Sequence, residues 1–493
     1  MEQTVIISTL VAGAILAAIA ATVGMAGAVH LTMRRSHGYM HLIFYAMLLL
    51  VALGNLLSGR DLSSIALSFE EPAQLVRHPL MVLAQPLASV LLLMVAGERI
   101  ITHCLKRENA ETAFPGLAIT FILFWAGTVA APAFWGAHPL LSHDYIYPLI
   151  IGIAAVLATS KERDLAIQAA RDALLLFMLA GLLLIPFQPG LVLDASYTQG
   201  LMPGVPRLAG LAAHAVSLGL LAQIALICLM ARPYQRVWFN RFAWTTGLAV
   251  LFLAQSKAAW ISFAVCAGCI VAVRGASSWW RRMGDPLRPE FGVVSLLLFM
   301  VALLAVAMLL MFGELDSRLG SFFDSAEGAQ LASLTGRDRI WAIAYDEWQR
   351  NPLFGYGPGL WDTGFRLSIG MPNATHGHNQ FMDTLSRSGT VGAMALVLYA
   401  LVLLVLSLRY ARASGGLTLA LFLVLALRSF SEVPLLLFGY GIELIAHVLL
   451  LMTLAAAAHE ARVKKSQIRS QANAPAAFTP ASDPLVASAR VRQ

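Results

Sequence analysis

Residues 389–408, GTVGAMALVLYALVLLVLSL, run without a single charged side chain until Arg409 closes them. Wound as an α-helix at about 1.5 Å per residue, the stretch reaches roughly 30 Å, the depth of a bilayer's hydrocarbon core. A soluble helix would keep one polar face, and this one has none. Working outward, comparable runs recur at 4–29, 40–58, 79–97, 116–136, 145–159, 172–187, 208–231, 242–256, 258–273, 291–313, 415–430 and 436–457, which makes thirteen expected spans. The whole chain agrees: of 493 residues 58% are hydrophobic and only 12% charged, against roughly 25% charged in soluble domains. The expected fold is an all-α integral membrane protein, a polytopic bundle of about 12–13 transmembrane helices. That excludes a soluble enzyme, a nucleic-acid-binding module and a disulfide-stapled secreted domain. Transporters, channels and intramembrane enzymes remain. The net charge of +7 implies no nucleic-acid partner, because membrane proteins hold Lys and Arg in cytoplasmic loops for insertion.

Charge then orients the bundle. Every second connection is basic, as with Arg99, Lys106 and Arg107, with Arg232, Arg236 and Arg241, and with Arg409 and Arg412. These connections are expected in the cytoplasm, which puts the amino terminus outside and the carboxyl terminus inside. MEQTVIISTL has no Lys or Arg before its apolar run, so it reads as a retained span rather than a cleavable signal. Cys104, Cys228, Cys266 and Cys269 lie in apolar runs or beside a basic loop. They read as packing thiols, the Cys266–Cys269 spacing included.

One outside connection is too long to be a turn. It divides the chain into amino-terminal transmembrane helices (1–205), central transmembrane helices (206–313), a long periplasmic loop with short amphipathic helices (314–388), carboxyl-terminal transmembrane helices (389–458) and a basic, disordered cytoplasmic tail (459–493). Within the loop, TGRDRIWAIAYDEWQR (335–350) reads as a helix capped by Thr335 and stopped by Asn351-Pro352. Ile340, Trp341, Ala344, Tyr345 and Trp348 share one side at helical spacing, a face for the membrane surface or the bundle. NPLFGYGPG (351–359) packs three glycines and two prolines into a shaped loop.

Ionisable groups at the mouth of a membrane bundle are costly and become functional candidates. On the outside face they are cations: Arg207 before the seventh span, Lys257 between the eighth and ninth, Arg337 and Arg339 at the loop helix, and Arg428 at the end of the twelfth. A cationic cleft suits an anion, and guanidinium is the group of choice for phosphate. Taken singly, each is also readable as an interfacial residue that snorkels or pairs with a loop carboxylate such as Asp338 or Glu432. His376 and His378 precede the eleventh span and are followed by Asn379, Gln380 and Asp383. A neutral imidazole is a natural general base, while the plain alternative is a histidine that caps the next helix. No third ligand of matched spacing accompanies the pair, and His214 is on another span, so no metal site is expected.

The ordered set of Arg207-x-x-Gly210, QSKAAW (255–260), TGRDRIW (335–341), NPLFGYGPG and HGHNQFMDTLSRSGTVG (376–392) resembles the bacterial O-antigen ligase and O-antigen polymerase superfamily. The resemblance covers about residues 205–435, and SEVPL (431–435) after Arg428 is closest in style to exopolysaccharide-polymerase members. It implies a GT-C-like, metal-independent, inverting glycosyltransferase of the bacterial inner membrane with its active site facing the periplasm. The implied donor is an undecaprenyl-pyrophosphate-linked glycan and the acceptor a sugar hydroxyl on a glycan or lipid-linked glycan, with no cofactor. Contact with other polysaccharide-assembly proteins would accompany that role. Arg207, Arg337 and His378 match the family's catalytic positions and Asn379 its His-Asn pair. Lys257 stands where relatives carry Arg or Lys, and Arg339, Asp383, Arg428 and His376 are further substrate-binding candidates. Two departures are the extra first span and Ala215-Val216 after His214. The rival readings are ligation to lipid A core or protein, and a transporter that uses the same arginines to bind an anionic or lipid-linked solute.

Overall fold

The computed structural model describes residues 2–283 and 337–472, apart from 36, 63–77, 107–114, 196–201, 203 and 373, together with isolated positions between 290 and 301. Most of the expected tenth span, the loop up to Gly336 with its Thr335 cap, and the tail beyond 472 lie outside the described residues. The fold is all-α: α1 (Glu2–Arg34), α2 (Leu42–Leu56), α3 (Pro79–Leu105), α4 (Pro115–Trp125) leading through a π-helical turn (Ala126–Ala130) into α5 (Ala131–Trp135), α6 (Ile146–Val156), α7 (Ser160–Leu183) and α8 (Pro189–Val192). One short antiparallel ladder follows, β1 (Leu193–Asp194) with β2 (Arg207–Leu208). Then come α9 (Ala215–Ala231), α10 (Val237–Leu253), α11 (Lys257–Met283), α12 (Arg337–Arg350), α13 (Thr363–Ser368), α14 (Gln380–Arg409), α15 (Leu417–Arg428) and α16 (Glu443–Ala472).

Among the described residues six helices are long and apolar enough to cross a membrane, and four more are apolar but shorter. The chain is therefore a polytopic membrane protein. α16 sits in the middle, with 83% of its apolar stretch buried, and it packs on α6, α7 and α15. α9 packs on α7, α10 and α11, α14 on the π-helical turn and α12, and α1 on α3. The four cysteines are free thiols.

Several helix limits differ from the apolar runs, and those of α7, α9 and α14 have a local reason. α7 starts at Ser160 rather than 172, because Thr159 and Glu162 form a reciprocal capping box that tolerates the charged first turn. α9 starts at Ala215 rather than 208, because Arg207 and Leu208 are held in the ladder and His214 caps the helix through Nδ1. α16 starts at Glu443 rather than 436 and runs on to Ala472, past the expected end at 457. α14 starts at Gln380, and the backbone breaks at Gly389 (φ 63°, ψ −164°), the residue where the apolar run begins.

That break explains the shaped loop. A side chain at Gly389 would sit 2.3 Å from the Leu353 carbonyl oxygen, and one at Gly355 2.6 Å from the Ser386 carbonyl, so both positions require glycine. The 351–359 loop supplies what the broken helix lacks: Tyr356 N–H donates to the Ser386 carbonyl at 2.8 Å and Gly357 N–H to that of Arg387 at 2.9 Å. In return Thr390 N–H donates to the Pro352 carbonyl at 2.8 Å. α12 lies against this assembly with Ile340 and Ala344 buried, while Tyr345, expected on the same face, is exposed. Trp348 reaches the Pro352 carbonyl at 3.1 Å through Nε1–H.

Candidate functional site

The segment HGHNQ becomes a fixed structure because its backbone and most of its polar side chains are held by hydrogen bonds. Asn379 caps α14, its Oδ1 accepting from Phe381 N–H at 3.0 Å and Met382 N–H at 3.1 Å. Asp383 Oδ1 accepts from Gly377 N–H at 2.8 Å, and its Oδ2 pairs with Arg387 at 2.8 Å. Trp341, on α12, donates Nε1–H to the Gly377 carbonyl at 2.9 Å. Asp383 and Asn379 are thus positioning groups for the histidine turn. His378 takes a left-handed backbone, φ 47°, a costly conformation for a residue with a side chain and one that marks a constrained site.

Glu432 arrives from the loop after α15 and faces both rings. His376 Nε2 lies 3.1 Å from its carboxylate and His378 Nδ1 3.9 Å, with the two ring centres 4.2 Å apart. His378 N–H donates to His376 Nδ1 at 3.1 Å, so the proton of a neutral His376 is on Nε2 and points at Glu432. Both nitrogens of His376 are engaged. His378 Nδ1 is buried and has no hydrogen-bond partner among the described residues. Gln380 holds the Glu432 loop in place: its N–H donates to the Ser429 carbonyl at 2.9 Å and its Oε1 accepts from Leu435 N–H at 2.8 Å.

The electrostatics follow from this packing. Burial lowers His378 to about 4, reinforced by His376 and Arg337 and opposed by Glu432 and Asp383. It is uncharged at neutral pH. Burial alone would raise Glu432, but the His376 hydrogen bond and the charges of Arg428, His376 and His378 outweigh it and hold the carboxyl below its usual range. His214 is lowered first by burial and next by Arg207, with Asp194 and Glu432 acting in the other sense. It is therefore within electrostatic reach of both the Arg207 ladder and the Glu432 loop.

The expected residues do not all converge. Arg207 is buried in β2, paired with Asp194 across the ladder, and donates Nε–H to the Ala254 carbonyl at 3.2 Å. Gln255, from the small-residue motif, donates to the Val205 carbonyl at 2.9 Å and fixes the approach to Arg207. Arg337 opens α12 within electrostatic reach of His378. Arg428 ends α15 near Glu432 and Glu443, and its buried Nε has no hydrogen-bond partner among the described residues. Arg339 is turned away, exposed and directed at the Ile369 carbonyl at 3.5 Å. Lys257 is exposed at the start of α11, and no ion pair joins it to the histidines among the described residues.

Two contributors escaped the sequence. Glu432 entered the reading only as a generic partner for a loop cation, since nothing in its spacing ties it to His376. Arg60 was not considered; it donates to the carbonyls of Gly210 at 2.8 Å, Ala212 at 2.8 Å and Leu191 at 3.1 Å, and so shapes the loop that carries Arg207 and His214. The expectation that the histidine pair lacks a third metal-ligating neighbour is also corrected: His376, His378 and Glu432 bring three ligand atoms within 4.8 Å of one another. Arg337 and Arg428 beside them oppose a dication, and the same three groups serve equally as a hydrogen-bonded base. The site so assembled is a neutral imidazole, an ionised carboxylate and several guanidinium groups at one end of the bundle, suited to taking a proton beside an anionic group.

No protein of curated function matches the chain. Residues 242–397 match the family described as O-antigen ligase. That stretch includes the α12 helix, the histidine turn and the kinked start of α14, and it leaves Arg207, Arg428 and Glu432 outside. The match covers less than half of the chain and makes this stretch similar to the O-antigen ligase family.

Proposed function

We propose that the protein is a glycosyltransferase of the bacterial inner membrane that moves a glycan from undecaprenyl pyrophosphate to a sugar hydroxyl on the periplasmic side, polymerising the repeat units of a surface polysaccharide or exopolysaccharide. The observation that carries this reading is the Glu432-held histidine pair next to Arg337 and Arg428. The acceptor hydroxyl attacks the anomeric carbon from the face opposite the diphosphate. As the new C–O bond forms, the old one breaks, its electron pair leaves with the diphosphate, and the hydroxyl proton passes to His378, whose Nε2 is the free lone pair when Nδ1 carries the proton toward Glu432. The carboxylate then stabilises the imidazolium. Arg207, Arg337 and Arg428 stabilise charge growing on the diphosphate, and in a water-poor cleft such aimed cations lower the barrier more than any other group present. This division of labour requires no metal. Lys257 and Arg339, being exposed and apart, are assigned to the outer path of the glycan or acceptor.

Purified protein in liposomes, supplied with defined undecaprenyl-linked repeats with and without lipid A core, tests the reading. Lengthened glycan identifies a polymerase and a capped core a ligase. Recovery of the donor chemically unchanged on the far side of the membrane would overturn the proposal in favour of a transporter.

A further inference from the structure

α14 and α15 do not close against each other along their length. Between them lies a cleft of about 300 Å³. Its walls are apolar: Leu396 and Leu403 from α14 face Phe422 and Leu425 from α15, and Ala400 and Ala426 are the small residues among them. Phe430, 73% exposed, and the exposed Phe381 and Val397 stand at its mouth. The break at Gly389 sets the segment that begins at Gln380 apart from the apolar part of α14, and both parts line the cleft.

The upper end of this cleft is not apolar. Asn379 and Ser429 line it, and their chain neighbours are His378 and Arg428, the latter with its buried Nε unpartnered among the described residues. A hydrocarbon chain joined directly to an anionic, hydrogen-bonding head fits both these walls and the Arg428 guanidinium that adjoins the polar end. A bilayer phospholipid has its charge separated from its chains by a glycerol ester region, whereas a prenyl diphosphate has none. We infer that the α14–α15 cleft seats the isoprene units nearest the diphosphate, with Arg428 on the phosphates, while the remainder of the lipid lies free in the bilayer. This rests on the lipid-linked donor proposed above and adds where its tail enters and how much of it is read. The cleft holds only a few such units, so the enzyme discriminates against donors without them and is indifferent to chain length beyond them. Transfer from lipid to cleft gains no hydrophobic energy, because lipid tails are as apolar as leucine. The cleft acts by shape, aligning the head with His378.

The test uses the full chain in nanodiscs. A photoreactive geranylgeranyl diphosphate with its diazirine on a head-proximal unit is expected to label α14 and α15 at 396–403 and 422–430, with undecaprenyl diphosphate competing. The corresponding prenyl alcohol is expected to label weakly. Ala426→Phe and Ala400→Phe fill the cleft and should lower both labelling and kcat/KM for the lipid-linked donor about tenfold, while Leu401→Phe, on the lipid-facing side of α14, leaves both unchanged. Donors with geranylgeranyl and undecaprenyl tails should give kcat/KM within about threefold of each other. Labelling spread evenly over lipid-facing helices, or active filled variants that are correctly inserted, would overturn the cleft assignment while leaving the transferase reading intact. Mapped labelling with no glycan transfer from any diphosphate donor would do the reverse.

Discussion

At one end of the bundle Asp164 receives Arg163 at 2.8 Å and Arg232 at 2.6 Å, and Arg163 turns its other nitrogen to Glu460 at 2.9 Å. Arg274, in the same cluster, donates to the carbonyls of Gly415 and Met230, each at 3.0 Å. At the opposite end one carboxylate, Glu432, is shared among Arg428 and two histidines, and Arg428 keeps a buried nitrogen without an acceptor among the described residues. Both ends are rich in arginine and both contain a cavity, of about 280 Å³ at the first and about 300 Å³ at the second. The difference is in how the charge is closed. Where the guanidinium groups end on carboxylates or carbonyls, the arginines bind helix ends together. Where a guanidinium keeps a buried nitrogen without an acceptor among the described residues, beside an imidazole that burial holds neutral, the field is left for a substrate. Arg232, from one of the basic connections expected in the cytoplasm, meets Asp164 at the first end, and the histidine pair lies at the other.

Substitutions at the two ends should separate accordingly. The largest effect is expected for His378→Ala: transfer in reconstituted vesicles should fall by about 10³, within the range for loss of a general base, with insertion and melting little changed. Next come Arg337→Ala and Arg207→Ala, each expected to cost about 10² in kcat, as for removal of one donor to a developing anion. If either retained wild-type turnover, the open end would be no more functional than the closed one. Glu432→Gln should lower kcat about tenfold with little change in KM. The pH profile sharpens that prediction. His378 sits at about 4 against an ordinary 6.5, so its proton-accepting form persists to low pH and kcat/KM should decline only as pH falls through that value, without an inflection at 6.5. Glu432 raises His378, so the Gln variant should move the decline still lower. The smallest effect belongs to the closed end: Asp164→Asn should leave turnover unchanged and cost about 1 kcal/mol or less in stability, the usual worth of a partly exposed ion pair, read as a small drop in melting temperature.

Much of the scaffold was legible because transmembrane helices announce themselves by length and apolarity. Residues 389–408 read as a span and are one. The helix after Gly336 and the His-Asn turn were legible too, since caps and stops are local signals. What the chain concealed was long-range or polar. The early start of α7 hides behind Lys161 and Glu162, which look like loop until the capping box is seen. The ladder between 193–194 and 207–208 is too short to leave a periodicity. Glu432 lies far along the chain from His376, and the Gln380 bonds to the Ser429 and Leu435 backbone help to bring it in. Arg339 shows the opposite failure: its motif placed it beside Arg337, but two positions along a helix point in different directions, and it faces the Ile369 carbonyl.

The break in α14 has one more consequence. Its exposed peptide groups are met by main-chain atoms of residues 352–357, not by side chains. Drift at Leu353 or Phe354 therefore leaves the hinge intact, whereas a single methyl group added at Gly355 or Gly389 wedges loop from helix. Such a wedge would shift the histidine turn relative to its membrane anchor without altering any residue of the proposed site, and the proposed transfer would be lost to a change that looks, on paper, entirely conservative.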